Sequence, residues 1–436
     1  MKILSIPYGN KTLPLKIPKK NWGELLAPRE TQPISFETGL KKALEHPLNS
    51  PPLADFLKGC RSLLVIVNDE TRPTPTGRVL EFLWPEFAPH PLKILVATGI
   101  HKKSSEEGCL RIFDPLWPEV KNKLLFHDCR QERGMVFLGE TSRGTRVIVN
   151  QEIMMADRLL VIGSVEPHYF AGYTGGRKAV IPGVAAYSSI VANHSLAMDL
   201  EAQPLRLAGN PVHEDLEEAL RLLPVPPIFS LMLVLTPEHR LYAAFSGSIQ
   251  ETLMASAQKA DEVFTLPFQT KADILISVAF PPLDIDLYQS QKPIEHGKMA
   301  LKEDGILILV MPCPQGPGPA DFQKLILQTG DLQKARALLD QPYRLGHHRI
   351  TRNLKFLEQG GQVWGITDLD PDFLSQTFIR PRPSLQEAVD MALAQKGRAA
   401  KVHVLLNAGL CVPKEQATSL DAFTSERINK NQEAGV

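Results

Sequence analysis

Leu159-Leu-Val-Ile162 followed by Glu166-Pro-His-Tyr-Phe-Ala-Gly-Tyr-Thr-Gly-Gly-Arg-Lys-Ala-Val-Ile-Pro-Gly183 is the stretch on which the fold reading turns. The apolar run reads as a buried strand, and residues 185–193 beyond the loop read as a short helix. A long loop between strand and helix is where open α/β folds build their sites. Gly175 and Gly176, side by side, let the backbone take positive φ and approach a ligand closely. Within that frame stand one imidazole, His168, and one amine, Lys178. The G-x-x-x-x-G-K-[ST] spacing of a phosphate-binding loop is absent, because Arg177 occupies the second glycine position and Ala179 follows the lysine.

The strand-helix rhythm extends in both directions. Leu63-Leu-Val-Ile-Val67 and Ile94-Leu-Val-Ala97 are continuous apolar runs, as expected of parallel strands covered on both faces. The first empties into Asn68-Asp-Glu-Thr-Arg-Pro-Thr-Pro75, and the second into Thr98-Gly-Ile-His101. Helices are predicted over 36–45, 76–82, 211–220 and 249–263, with Ser104 and Glu107 as a capping box for another. Strands are predicted at 2–7, 12–17, 123–126 and 145–149, and a hairpin at 229–235 and 241–245. Asp273-Ile-Leu-Ile-Ser277, a helix over 286–300 and Gly305-Ile-Leu-Ile-Leu-Val310 form a βαβ unit. Strands at 362–365 and 402–406, with helices at 320–329, 331–339 and 385–394, continue it.

The expected fold is therefore α/β with two domains, each a mostly parallel sheet flanked by helices, and the active site in the interdomain cleft. The boundary falls near residue 267. Residues 1–267 form an N-terminal α/β domain carrying the loop, and 268–436 a C-terminal α/β domain. The tail after Pro413 has little apolar pattern.

The bulk numbers narrow the function class. The 436 residues carry 48 basic and 48 acidic side chains, a net charge of zero, with no basic block, which argues against nucleic acid or an anionic membrane as partner. No apolar run is long enough to span a bilayer, and the N-terminus lacks the features of a signal peptide. Five scattered cysteines without C-x-x-C predict packed, reduced thiols, and hence a cytoplasmic protein.

Polar residues gather after predicted strands: Asp69 and Arg72, His101, the pair His168 and Lys178, then His194, and in the second half Tyr288-Gln-Ser-Gln-Lys292. Taken singly, each histidine is as well explained by packing, Arg72 by pairing with Asp69, and Lys292 by a solvated helix face. Lys178, directly after Gly-Gly-Arg, has little structural reason to be there. Three histidines also allow a zinc-dependent hydrolase or lyase using His101, His168 and His194, although H-E-x-x-H is missing. A non-catalytic nucleotide sensor or carrier using the glycine loop is a further alternative. His213-Glu-Asp reads as the first turn of a helix.

Taken together and in order, these stretches, with Asn193-His-Ser and Gly209-Asn-Pro-Val-His, resemble the nickel-dependent lactate racemase family. The resemblance implies a racemase or epimerase that inverts the carbinol carbon of a 2-hydroxy acid by hydride transfer. The cofactor it implies is a nickel pincer nucleotide, nickel pyridinium-3-thioamide-5-thiocarboxylic acid mononucleotide, attached covalently to Lys178, with His194 as the nickel ligand. It further implies His101 and His168 as proton-transfer residues, and Asp69, Gly175 and Gly176 beside the cofactor. Arg72, Tyr288, Gln289 and Lys292 would handle substrate, and separate maturation proteins would build and load the cofactor. Where the family often has Thr-His-Arg-Pro, this chain has Ile100-His-Lys-Lys103, a change expected to reshape the wall beside His101. Relatives act on several 2-hydroxy acids, so the implied substrate is the class rather than lactate alone.

Overall fold

The computed structural model describes residues 1–224 and 228–416, and these divide into two compact units. One unit comprises 29–264 and 342–348; the other comprises 1–28, 265–341 and the chain from 349 onward.

The first unit is built on a six-stranded sheet. Its spatial order is Leu241–Ser248, Phe229–Leu235, Arg158–Ser164, Leu63–Asn68, Leu92–Ala97 and Leu124–Phe126. Every pairing is parallel except the first, the hairpin pair Phe229–Leu235 and Leu241–Ser248. The central strand is apolar throughout because both faces are covered. Leu63, Val65 and Val67 pack with the buried residues of helices Phe36–Glu45, Thr76–Phe87 and Glu106–Phe113, while the alternate residues Leu64 and Ile66 are buried on the opposite face. Each such side chain contributes roughly 1.5–3 kcal/mol by leaving water. Parallel pairing brings the carboxyl ends of Leu63–Asn68, Leu92–Ala97 and Arg158–Ser164 to one edge, so the loops carrying Asp69, His101 and His168 leave from neighbouring strands.

The second unit has six strands in the order Ile379–Pro381, Gln362–Ile366, Leu301–Val310, Ala272–Val278, Val402–Leu405 and Trp22–Leu26, all parallel. Ile274, Ile276 and Val278 pack with Leu385, Ala388 and Val389 of helix Leu385–Lys396, and with Ile6, Tyr8, Leu15 and Ile17 of an N-terminal hairpin. Leu275 on the other face joins Leu287 and Ile294.

The structure departs from the sequence expectations in identifiable ways. Residues 1–28 sit with the second sheet, because Trp22–Leu26 pairs with Val402–Leu405 and the hairpin covers the isoleucines beside it. The predicted strand at 145–149 exists as Arg146–Asn150, but it forms a separate antiparallel pair with Met135–Glu140. The capping box is displaced: Ser105 is the cap and accepts from the Gly108 amide. The helix expected over 286–300 begins with a 3-10 turn, Leu287–Ser290, before the α-helix Gln291–Met299. Val412–Glu415 is a short strand paired with Thr265–Phe268, while the rest of the C-terminal tail, from 417, lies outside the described residues, as do 225–227 of the proline cluster. All five cysteines are buried and free. No helix among the described residues is long and apolar enough to cross a membrane.

A buried charge cluster anchors helix Gln291–Met299. Arg352 Nε donates to Glu295 Oε2 at 2.8 Å, Lys298 donates to Glu295 Oε1, and Gln291 Nε2 donates to the same oxygen at 2.9 Å. Burial alone would raise the Glu295 carboxyl, but the Arg352 and Lys298 charges outweigh it and hold it down to about 2. A depressed carboxylate stabilises the fold fully above its unfolded value of about 4.3 and ceases to do so as pH falls toward its folded value. Glu295→Gln removes the carboxylate charge that faces the Arg352 and Lys298 cations. It is expected to lower the unfolding free energy by about 3 kcal/mol at neutral pH and to flatten the acid limb of stability between about pH 4.5 and 2. Chemical denaturation across pH checks both; an unchanged wild-type profile in the variant would contradict the electrostatic account.

Candidate active site

The loop after Arg158–Ser164 is held from several sides. The Thr174 hydroxyl accepts from the Glu166 amide at 2.9 Å and donates to the Ser164 carbonyl at 3.1 Å. Gly172 and Gly175 have φ of +75° and +74°. A Cβ on Gly172 would lie 2.2 Å from the Arg206 carbonyl oxygen, and one on Gly175 would lie 2.7 Å from Val165 Cγ2. Both positions therefore demand glycine for conformation and for space.

Phe170 is the hub of the site. Its ring lies edge-to-face with His168 at 4.5 Å between centroids, with Tyr169 at 4.7 Å and with His194 at 5.2 Å. The Lys178 ammonium stands 5.5 Å from the centre of the same ring. The sequence-predicted His168, Lys178 and His194 are thus brought to one aromatic side chain. His194 arrives there from the last turn of helix Tyr187–Ser195, which starts two residues later than the sequence suggests. The backbone around Phe170 is pinned from outside the loop and from within it. Asn210 Nδ2 donates to the Phe170 carbonyl at 3.0 Å while its Oδ1 caps helix Pro211–Arg221, and Arg177 Nη2 donates to the Ala171 carbonyl at 2.7 Å. His168 Nδ1 accepts from the Ala171 amide at 3.3 Å.

Arg177 is buried, and burial lowers its guanidinium to about 10, with the Glu217 charge acting against that shift. It remains a cation at neutral pH. Burial and the Arg177 charge push His213 down to about 3, so that imidazole is neutral and packed in the first turn of its helix.

Across the sheet edge, His101 Nδ1 lies 2.6 Å from Asp69 Oδ2. An ionised carboxylate only accepts, so His101 carries its proton on Nδ1 and presents the Nε2 lone pair. The other carboxylate oxygen accepts from the Thr71 hydroxyl at 2.6 Å and the Thr71 amide at 3.1 Å. Burial would raise the Asp69 carboxyl, but the His101 hydrogen bond and charge, Thr71 and the Arg72 charge together hold it below the ordinary value. Arg72 pairs with Glu166 at 3.6 Å, which links this loop to the glycine loop. Lys103 places its ammonium 4.6 Å over the Phe126 ring, showing where the departure at 100–103 leads.

Tyr288, Gln289 and Lys292 lie in the other unit. Tyr288 and Gln289 are in the 3-10 turn Leu287–Ser290, and Lys292 is in the first turn of the helix after it. Arg349, which sequence reading passes over, stacks its guanidinium 3.9 Å over the Tyr288 ring and donates to the Tyr288 carbonyl at 3.2 Å.

Two family models, described as the lactate racemase N-terminal and C-terminal domains, match residues 8–204 and 268–412. The chain belongs to the lactate racemase family. Curated relatives named lactate racemase include one from Thermoanaerobacterium thermosaccharolyticum, 27% identical over 93% of this chain and 97% of its own length. Another, from Lactiplantibacillus plantarum, is 28% identical over 93% of this chain and 98% of its own length. The solved structure of the lactate racemase apoprotein from T. thermosaccharolyticum superposes with a TM-score of 0.86 at 27% identity, covering 95% of this chain and all of the other. A Thermotoga maritima protein of known structure shares the fold, with a TM-score of 0.65 at 14% identity, 89% of this chain and all of that one. Lactate racemases are isomerases, and membership places this chain in a family of enzymes.

The donor set bears on which group the site could take. Among the described residues no cluster of three or more His, Cys, Asp or Glu side chains could hold a metal ion, so the three-histidine zinc site finds no ligand set there. The Lys178 amine and the His194 imidazole beside the Phe170 ring are donors that suit a group bringing its own further metal donors. The electrostatics make their own prediction. In His101→Ala, burial of Asp69 persists while its largest compensating contributions vanish. The Asp69 carboxyl is then expected to titrate above its wild-type position, followed by carboxyl carbon NMR; an unmoved titration would contradict the pairing.

Proposed function

We propose that the chain is a racemase or epimerase of a 2-hydroxy acid, lactate or a close relative, acting with a nickel pincer nucleotide secured on Lys178. The observation that carries the reading is the meeting of Lys178, His194 and His168 at Phe170, with the His101–Asp69 pair on loops that leave neighbouring strands at the same sheet edge, in a chain of this family. Lys178 would hold the group covalently and His194 would ligate its nickel, with Asp69, Gly175 and Gly176 lining the site. When bound, that group supplies hydride acceptance and return at the carbinol carbon.

The chain's own residues handle protons and charge. Inversion requires the substrate hydroxyl to lose a proton as the carbon becomes planar, and to regain one afterwards. His101 Nε2 is set to take it, because the Asp69 carboxylate fixes the proton on Nδ1 and stabilises the imidazolium that results. His168 serves the opposite enantiomer. Arg72 offers a planar fork for the substrate carboxylate, and Lys292 a point charge; Tyr288 and Gln289 complete the substrate contacts. Water-soluble maturation proteins would supply the loaded nucleotide, and neither nucleic acid nor membrane enters the reading.

The test is turnover of single-enantiomer 2-hydroxy acids by protein made alongside the maturation enzymes, in deuterium oxide. Interconversion with no deuterium at the carbinol carbon is expected. Lys178→Ala should abolish it, and His101→Ala and His168→Ala should each lower kcat by roughly 10²–10⁴, to different extents for the two enantiomers. Deuterium incorporated at that carbon would replace hydride transfer with proton abstraction, and absence of turnover across the panel by nickel-loaded protein would sink the reading.

A further inference from the structure

The segment Pro342–His348 packs with the unit that carries the glycine loop, although the chain on either side of it belongs to the other unit. It ends in His348, which is buried and engaged at both ring nitrogens. The Tyr343 hydroxyl lies 2.7 Å from Nδ1, and the Tyr169 hydroxyl lies 3.1 Å from Nε2. A neutral imidazole has one donor and one acceptor, so one tyrosine hydroxyl accepts from the ring and the other donates to it. Two bonds on opposite edges fix the plane of the ring. That plane meets the site directly, edge-to-face with Phe170 at 5.2 Å and with His194 at 6.4 Å.

Tyr169 carries the constraint to His168. Its ring is stacked on the His168 imidazole at 5.1 Å with an interplanar angle of 16°, while its hydroxyl is tied to His348. A ring held at its polar tip cannot swing about the Cα–Cβ bond without breaking that hydrogen bond. The stack therefore links the orientation of His348 to that of His168.

We propose that His348, clamped between Tyr343 and Tyr169, is a positioning residue that sets the ring planes of His168 and His194. The proposal rests on the racemase reading for its catalytic consequence, but its geometric content stands on the protein alone. Misorienting an acid-base group by a fraction of an ångström slows chemistry far more than it weakens ground-state binding. Loss of the clamp should accordingly appear in kcat rather than in KM.

The test uses the full chain without cofactor, labelled on histidine, and follows the imidazole carbon and nitrogen resonances of His168 and His194. His348→Phe keeps an aromatic ring but makes neither hydrogen bond; His348→Gln keeps an amide able to bond a tyrosine hydroxyl; Tyr343→Phe removes the bond to His348 Nδ1 and leaves His168 and His194 unsubstituted. The Phe variant is expected to move the His168 resonances most, the Gln variant least, with Tyr343→Phe between. In the loaded enzyme the same order should hold for kcat, about tenfold down for His348→Phe with KM within about twofold. Wild-type resonances in folded His348→Phe and Tyr343→Phe would overturn the proposal, as would equal damage from Gln and Phe. Should His348→Phe fail to fold, Tyr343→Phe decides alone. A wild-type protein that racemises nothing defeats the functional reading, while the resonances still decide this one.

Discussion

The structure depends on a backbone that passes where no side chain fits. Between Ser164 and Gly176 the chain reverses beneath the carboxyl edge of the first sheet, with Gly172 against the Arg206 carbonyl and Gly175 against Val165. That close approach lets one short loop deliver His168 and Phe170 on one side of the turn and Lys178 on the other. A loop with ordinary residues there would have to swing outward, and the three groups would part company. Asn210 and Arg177 reach in to the Phe170 and Ala171 carbonyls, the second of which also accepts from the Tyr173 amide, and so satisfy the backbone of the turn.

The parallel sheet explains why the second pair of residues is near the first. Asp69 and His101 are 32 positions apart in sequence, yet they leave adjacent strands at the same end and meet at 2.6 Å. The pairing gives Asp69 the role of an ionised acceptor and fixes a proton on His101 Nδ1. Arg72 to Glu166 then ties this strand-end loop to the glycine loop. Two groups of polar residues are in this way assembled from short stretches, each of which would mean little alone.

Much of this was legible in the residues. The continuous apolar runs at Leu63 and Ile94 announce parallel strands, and the glycine-dense loop with its lysine announces a site. What escaped was set by partners distant in sequence. The affiliation of residues 1–28 depends on a strand pairing with Val402–Leu405, which no local pattern encodes. The strand at Arg146–Asn150 has ordinary β character, and only its pairing with Met135–Glu140 separates it from the main sheet. Phe170 and Tyr169 lie within the quoted loop with no role assigned from sequence, since an aromatic gives no sign of which side chains will border it. His348, held by Tyr343, meets Tyr169 of the loop from 179 positions away, a tertiary contact that no local pattern encodes. Ser105 took the cap from Ser104 because neighbouring serines offer the helix equal chemistry.

The central claim is that the amine at position 178 is an attachment point rather than a structural lysine. Peptide mass spectrometry across Lys178, with elemental analysis of the same sample, tests it most directly on protein produced beside the maturation enzymes. The account predicts a mass increment on Lys178 and nickel near one equivalent per chain, both lost in Lys178→Ala. An unmodified Lys178 peptide from catalytically active protein would contradict it.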